Sequence, residues 1–226
     1  MPRTNDMLAI AFDLDGTLID SRRDIAGAIA HMLDVAGRPP LSEETILGFV
    51  GDGARHLVAS VLGLPSDSPN VDAHLAVFIE HYTAHPVART TLMPGAREVL
   101  EELSEFPLAL CTNKARRTTD AVLAGLHLTR HFRVVVAGDD TAHRKPHPEP
   151  LERVAGELGV SPTSLVMVGD GPQDVECGYA VGAYTVGLEG GILPLERLLA
   201  ARPQSLLASL HELPALVRKL AANLHG

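Results

Sequence analysis

The residues best suited to chemistry are two carboxylates, Asp13 and Asp15, which flank one apolar residue and are followed by Gly16 and Thr17. A carboxylate can attack the phosphorus of a phosphate ester and carry the phosphoryl group as an aspartyl-phosphate. A second carboxylate two residues on can protonate the departing oxygen and later deprotonate the attacking water. Asp13 is thus the candidate nucleophile and Asp15 the candidate acid/base. Gly16 permits a tight turn here and is counted among the phosphate-binding positions. The plainer alternative is a surface turn at Asp15-Gly16 with Thr17 capping a helix; the buried apolar run that precedes it, Leu8 to Phe12, weighs against this.

Such a displacement needs positive charge around the phosphoryl group. Mg²⁺ suits it, because that ion takes oxygen ligands and binds through one or two carboxylates plus substrate phosphate. Asp170 offers a further carboxylate, and Asp174 lies one helical turn along as a ligand or as a partner behind the ligands. A turn at Gly169-Asp170-Gly171-Pro172 with a helix N-cap is the alternative. Thr112 and Asn113 precede a helix expected from Ala115, whose first amides would attract an anion. Lys145 stands in Arg144-Lys145-Pro146-His147-Pro148, expected to be stiff and extended, and is the candidate phosphate anchor; an exposed loop lysine is the alternative.

These positions share a context. Leu8–Phe12, Leu108–Cys111, Val134–Ala137 and Leu165–Val168 are short unbroken apolar runs, as buried parallel strands require, and Tyr184–Val186 is a shorter one. The three runs after the first end at Thr112-Asn113, Gly138-Asp139-Asp140 and Gly169-Asp170. Helical spacing fills 96–103, 115–126, 151–158 and 175–181, and the tail 213–224 reads as a terminal helix. Alternating strand and helix predicts an α/β fold with a Rossmann-like parallel sheet, and ligands at its carboxyl edge. Gly187–Gly191 is expected to be a flexible loop.

The stretch 21–88 contains no buried strand run. Ile25, Ile29, Met32, Leu33 and Ala36 follow helical spacing, as do residues 54–62 and the set Val71, Leu75, Phe78, Ile79 and Tyr82, with Asn70 a possible N-cap. It is an inserted helical cap domain over the strand ends, able to act as a lid. Residues 1–20 and 89–226 form the core domain around it.

Taken in order, Asp13-x-Asp15-Gly16-Thr17, Thr112-Asn113, Lys145-Pro146 and Gly169-Asp170 with Asp174 resemble the four motifs of the haloacid-dehalogenase-like superfamily of phosphohydrolases. The resemblance covers nearly the whole chain. It implies that Asp13 is the nucleophile and Asp15 the acid/base. It also implies that Thr112 and Lys145 contact phosphate, and that Asp13, the Asp15 backbone carbonyl and Asp170 hold Mg²⁺. Gly171 stands where that motif often has Ser. Asp15 selects phosphatases over the dehalogenases and phosphonatases of the superfamily, which lack an acid there.

Within the superfamily the chain is most similar to phosphoglycolate phosphatases, through Val50-Gly51-Asp52-Gly53-Ala54, Cys111-Thr112-Asn113-Lys114, Gly138-Asp139-Asp140 and Ser209-Leu210-x-Glu212-Leu213. Asp52, where those enzymes usually have Asn, and Arg55 are the cap positions expected to meet the leaving group. N-capping of the helix at Ala54 is the plainer role for Asp52, and solvent the plainer surrounding for Arg55. Asp139 either orients Lys145 or serves a turn. Sibling readings are another sugar-phosphate, nucleotide or pyrophosphate hydrolase or a phosphomutase. A non-enzymatic phosphorelay receiver is disfavoured because no Asp directly follows Leu108–Cys111.

Composition limits the partners. A net charge of -9 and an aromatic content of 4% argue against a nucleic-acid platform and an anionic membrane surface, and leave a small phosphorylated metabolite. No apolar run approaches the ~20 residues of a membrane helix; the expectation is a cytoplasmic monomer or dimer. Cys111 and Cys177 read as buried reduced thiols. The eleven His show no ligand spacing.

Overall fold

The computed structural model describes residues 7–224. Strand β1 (Ala9–Phe12) lies at the centre of a parallel sheet. It pairs with β4 (Leu108–Cys111) on one side and β6 (Leu165–Gly169) on the other. Beyond β4 lies β5 (Val134–Val136); beyond β6 lie β7 (Tyr184–Leu188) and β8 (Ser205–Leu207). The order is β5-β4-β1-β6-β7-β8. Because the chain passes first to one side of β1 and later to the other, the carboxyl end of β1 is a topological switch point, where a crevice opens.

Both faces of the sheet are covered, which is why its strands read as unbroken apolar runs. Side chains alternate along β1. Ala9 and Ala11 pack with Leu151 and Val154 of α7 (Glu149–Leu158) and with Cys177 of α8 (Pro172–Val181). Ile10 and Phe12 join the larger core with α5 (Ala96–Glu102), α6 (Arg116–Gly125) and α10 (Leu213–Leu224). Cys111 and Cys177 are free and buried. Burial pushes the Cys177 thiol up to about 12 and raises that of Cys111 as well.

Helices α1 (Arg22–Val35), α2 (Glu43–Leu47), α3 (Ala54–Leu62) and α4 (Asn70–Ala84) form the insert. Its two connections pair as a short antiparallel ribbon, β2 (Ile19–Asp20) with β3 (Thr91–Leu92). The buried Asp24 carboxylate at the start of α1 accepts from the Arg89 amide at 3.0 Å, the Thr90 amide at 2.8 Å and the Thr90 hydroxyl at 2.7 Å. The exit of the insert is thereby tied to its entrance.

Several expectations are corrected. Gly187 and Leu188 belong to β7 rather than to a loop, and α9 (Leu195–Ala201) with β8 follows. The cap position of α3 is Gly53, not Asp52. Asn70 is the first residue of α4, with Pro69 before it. Arg144–His147 is a turn closed by the His147 amide on the Arg144 carbonyl at 2.9 Å, with a cis Lys145–Pro146 peptide, not an extended segment. Among the described residues no helix is long and apolar enough to cross a membrane.

Candidate active site

Asp13 leaves β1 with its amide still donating to Val168 O at 2.9 Å, so its backbone is fixed by the sheet. Its side chain is buried, and Oδ1 accepts from Lys145 Nζ at 2.9 Å. Among the described residues nothing donates to Oδ2, and Asp13 lines a cavity. Lys145 also donates to Asp174 Oδ1 and to Cys111 O, both at 2.6 Å. Burial alone would lower its ammonium pKa, but Asp13 and Asp174 outweigh this and raise it well above the ordinary lysine value. The lysine stays charged inside the protein.

Asp170 follows β6, as expected, with Oδ1 accepting from Thr17 Oγ1 at 3.1 Å and Oδ2 from the Ile192 amide at 2.9 Å. Asp174 Oδ2 accepts from the Gly171 amide at 3.0 Å, so this residue caps α8 as well as pairing with Lys145. Asp13, Asp170 and Asp174 bring ligand oxygens within 4.8 Å of one another. Three carboxylates with one lysine leave excess negative charge. Burial and then Asp13 and Asp174 raise the Asp170 carboxyl to about 8; burial and Asp13 raise Asp174 to about 6 against the opposing pull of Lys145. A buried group of hard oxygens with uncompensated charge fits a divalent cation such as Mg²⁺.

Gly16 sits at φ +85, and a Cβ there would fall within the Asp170 carboxylate. The same holds for a Cβ on Gly191. Gly16 therefore makes room for the acidic cluster. Asp15 turns toward the insert: its Oδ1 accepts from Ser21 Oγ at 2.5 Å, and Lys114 Nζ donates to its two oxygens at 3.0 and 3.1 Å. Lys114 also donates to Tyr82 Oη at 2.9 Å and lies 4.2 Å from that ring's centre. Tyr82 belongs to α4, so Asp15 is linked to the insert through Lys114.

Thr112 and Asn113 follow β4 as expected, but their side chains part company. Thr112 lines the cavity. Asn113 is spent on backbone: Nδ2 donates to Gly51 O and Lys145 O, and Oδ1 accepts from the Lys145 amide, all at 2.9 Å. Its side chain clamps insert to core, and the residue also lines the cavity. The first amide of α6 donates to Asp139 Oδ1 at 2.6 Å, so Asp139 caps that helix and does not orient Lys145.

The cavity has a volume of about 60 Å³, room for a few water molecules. Its floor is polar, from Asp13, Asp15, Thr112 and Asp170; Val50, Leu57 and Phe78 of the insert form an apolar roof. Asp52 and Arg55 are not among its lining residues. Arg55 Nε donates to Ser66 O at 2.6 Å and its NH1 group pairs with Asp72 at 2.5 Å, while Asp52 faces His56 at 3.7 Å. Lys114, Tyr82, Thr17 and Gln173 were missed. Lys114 and Thr17 had local signals, the one in its place after Thr112-Asn113 and the other as the end of the Asp13–Thr17 motif. His143, His147 and Glu149 do gather ligand atoms within 4.8 Å at the surface, contrary to the expected scatter of His.

The chain is similar to known proteins along most of its length. A family model described as haloacid dehalogenase-like hydrolase matches residues 10–188. The phosphoglycolate phosphatase of Chromobacterium violaceum is 35% identical over 211 residues, covering 91% of this chain and 95% of that protein. That of Escherichia coli is 31% identical, with 96% and 95% covered. Among solved structures, a predicted phosphoglycolate phosphatase from Haemophilus somnus superposes with a TM-score of 0.83 at 24% identity, covering 94% of this chain and 98% of that one. CbbY from Rhodobacter sphaeroides, in complex with phosphate, gives 0.78 at 23% identity, covering 92% and 96%. At these identities the two structures establish the fold.

Proposed function

The chain belongs to the haloacid dehalogenase-like hydrolases, and on that premise we propose that it is a phosphoric monoester hydrolase whose substrate is phosphoglycolate. The observation that carries the reaction is the half-anchored carboxylate of Asp13, with Oδ1 held by Lys145 and Oδ2 open at the cavity. In the first step Asp13 Oδ2 bonds to phosphorus as the bond to the leaving oxygen breaks, and Asp15 gives that oxygen its proton. In the second, water attacks the aspartyl-phosphate, Asp15 takes the water's proton, and Asp13 returns as a carboxylate. Thr112 and Lys145 meet the phosphoryl oxygens. Asp13, Asp170 and the Asp15 carbonyl would hold Mg²⁺, with Asp174 behind them bonded to Lys145. When bound, the ion supplies the charge neutralisation that lets two anions approach.

Residues 21–88 are the cap in this reading and exclude bulk water from the cavity. The curated relatives favour phosphoglycolate over a sugar or nucleotide phosphate. A helical insert after the first strand, and Thr112 rather than an acid directly after β4, are unlike a phosphorelay receiver. Phosphate release from a panel of esters with Mg²⁺ tests the reading. Phosphoglycolate should lead the panel, and Asp13→Asn should abolish release from every ester. A strong preference for a sugar phosphate would overturn the substrate; turnover by Asp13→Asn would overturn the nucleophile.

A further inference from the structure

Gln173, in the first turn of α8, is only 7% exposed. Among the described residues its carboxamide has no hydrogen-bond partner, yet it lines the cavity. Neither carboxamide atom is sealed from solvent, so the amide reaches the cavity with its donors and its acceptor free for a ligand. Its surroundings are specific. A Cβ on Gly171 would fall on the carboxamide, and one on Gly51 would stand 3.2 Å from Nε2. The glycine at 171, where the motif often has Ser, thus leaves the space that the Gln173 side chain fills between core and insert.

The wall beside it favours an anion. Gly53 and Ala54, at the start of the nine-residue helix α3, line the cavity, and no acidic side chain stands in that helix's first turn. The first amides of a helix have no partner within it and carry partial positive charge. Lys114 lies on the same cavity, shared with Asp15.

We propose that Gln173, together with the first turn of α3, binds the carboxylate of the leaving group and is the residue that selects a carboxylated phosphate ester. This rests on the phosphoglycolate reading above. The Gln173 amide donates to the carboxylate, which fills the place left without a partner, and the neighbouring helix end offsets its charge.

The test compares kcat/KM for phosphoglycolate with that for ethyl phosphate, which lacks the carboxylate, using the full chain with Mg²⁺. Gln173→Leu should lower that ratio roughly 10- to 100-fold, mostly through KM for phosphoglycolate, as expected for loss of a hydrogen bond to a charged group. Gln173→Glu keeps the size but opposes the carboxylate, and should lower it further. Gly171→Ser, at φ -118 where any residue is unstrained, should displace the amide and lower the ratio with every charge kept. This variant and Gln173→Glu decide the matter if Gln173→Leu does not fold. A wild-type preference for phosphoglycolate that survives within twofold in the Gln173 and Gly171 variants overturns the role of Gln173 and leaves the substrate reading standing. A wild type that does not distinguish the two esters overturns both.

Discussion

Replacing Asn113 tests whether the clamp between insert and core holds Lys145, the proposed phosphate anchor. Asn113 is 6% exposed and makes three hydrogen bonds of 2.9 Å, two to the backbone of Lys145 and one to Gly51. Asn113→Ala strands the buried Lys145 amide, at about 1–3 kcal/mol, and removes two bonds to carbonyls at about 1 kcal/mol each. With water regaining the Gly51 side, the net loss is about 3 kcal/mol. For a chain of this size that is a fall in Tm of roughly 6–12 °C. Loosening Lys145 by about 1 Å should lower kcat on the order of 100-fold. Asn113→Asp is more diagnostic. It keeps the acceptor for the Lys145 amide but sets a carboxylate oxygen against two carbonyls. Burial and those carbonyls would raise its folded pKa above the unfolded value near 3.9, so the variant loses stability as pH rises from about 4 toward 8. Thermal denaturation of wild type and both variants at pH 5 and pH 8, with kcat measured alongside, reads all of this. If Asn113→Ala melts within about 1 °C of wild type, or if the Asp and Ala variants keep a constant difference between the two pH values, the clamp does not act as described.

The acidic cluster gives a linked pH prediction: the Asp170 and Asp174 carboxyls lie at about 8 and about 6 in the metal-free fold, above their unfolded values. The folded state therefore binds more protons, and stability in EDTA should fall as pH rises from about 4 to about 8. Mg²⁺ should raise Tm more at pH 8 than at pH 5; equal shifts at both would contradict this. Gly16→Ala forces a side chain to φ +85 and into Asp170. It should cost about 1–3 kcal/mol in urea unfolding and weaken Mg²⁺ binding by calorimetry at least tenfold. Lys145→Met leaves Asp13 and Asp174 without their buried cation. It should lose about 3–5 kcal/mol at pH 8 and less at pH 5, with kcat on phosphoglycolate down about 100- to 1,000-fold.

The reaction was legible in the chain because its parts are local to strand ends. Short unbroken apolar runs alternating with helical stretches read as strands buried on both faces of a parallel sheet, and the residues that follow them then emerge at its carboxyl edge. That placed Asp13, Thr112 and Asp170 together and made the helical insert stand out. The cap of α8 by Asp174 was also a local signal. The short ribbon β2–β3 and the edge strand β8 were not, since two or three residues have no period to detect.

The sequence by itself determined the acidic cluster and the kind of reaction, because these depend on residue type at positions that backbone hydrogen bonding fixes. Only the tertiary structure decided where the longer side chains go. Asn113 turned to the Lys145 backbone, Arg55 to Ser66 and Asp72, Lys114 to Asp15 and Tyr82, and Gln173 into the cavity. Each of those directions is set by partners distant in the chain. Spacing along the sequence reports the face a residue occupies, but not which of several polar neighbours will complete its hydrogen bonds.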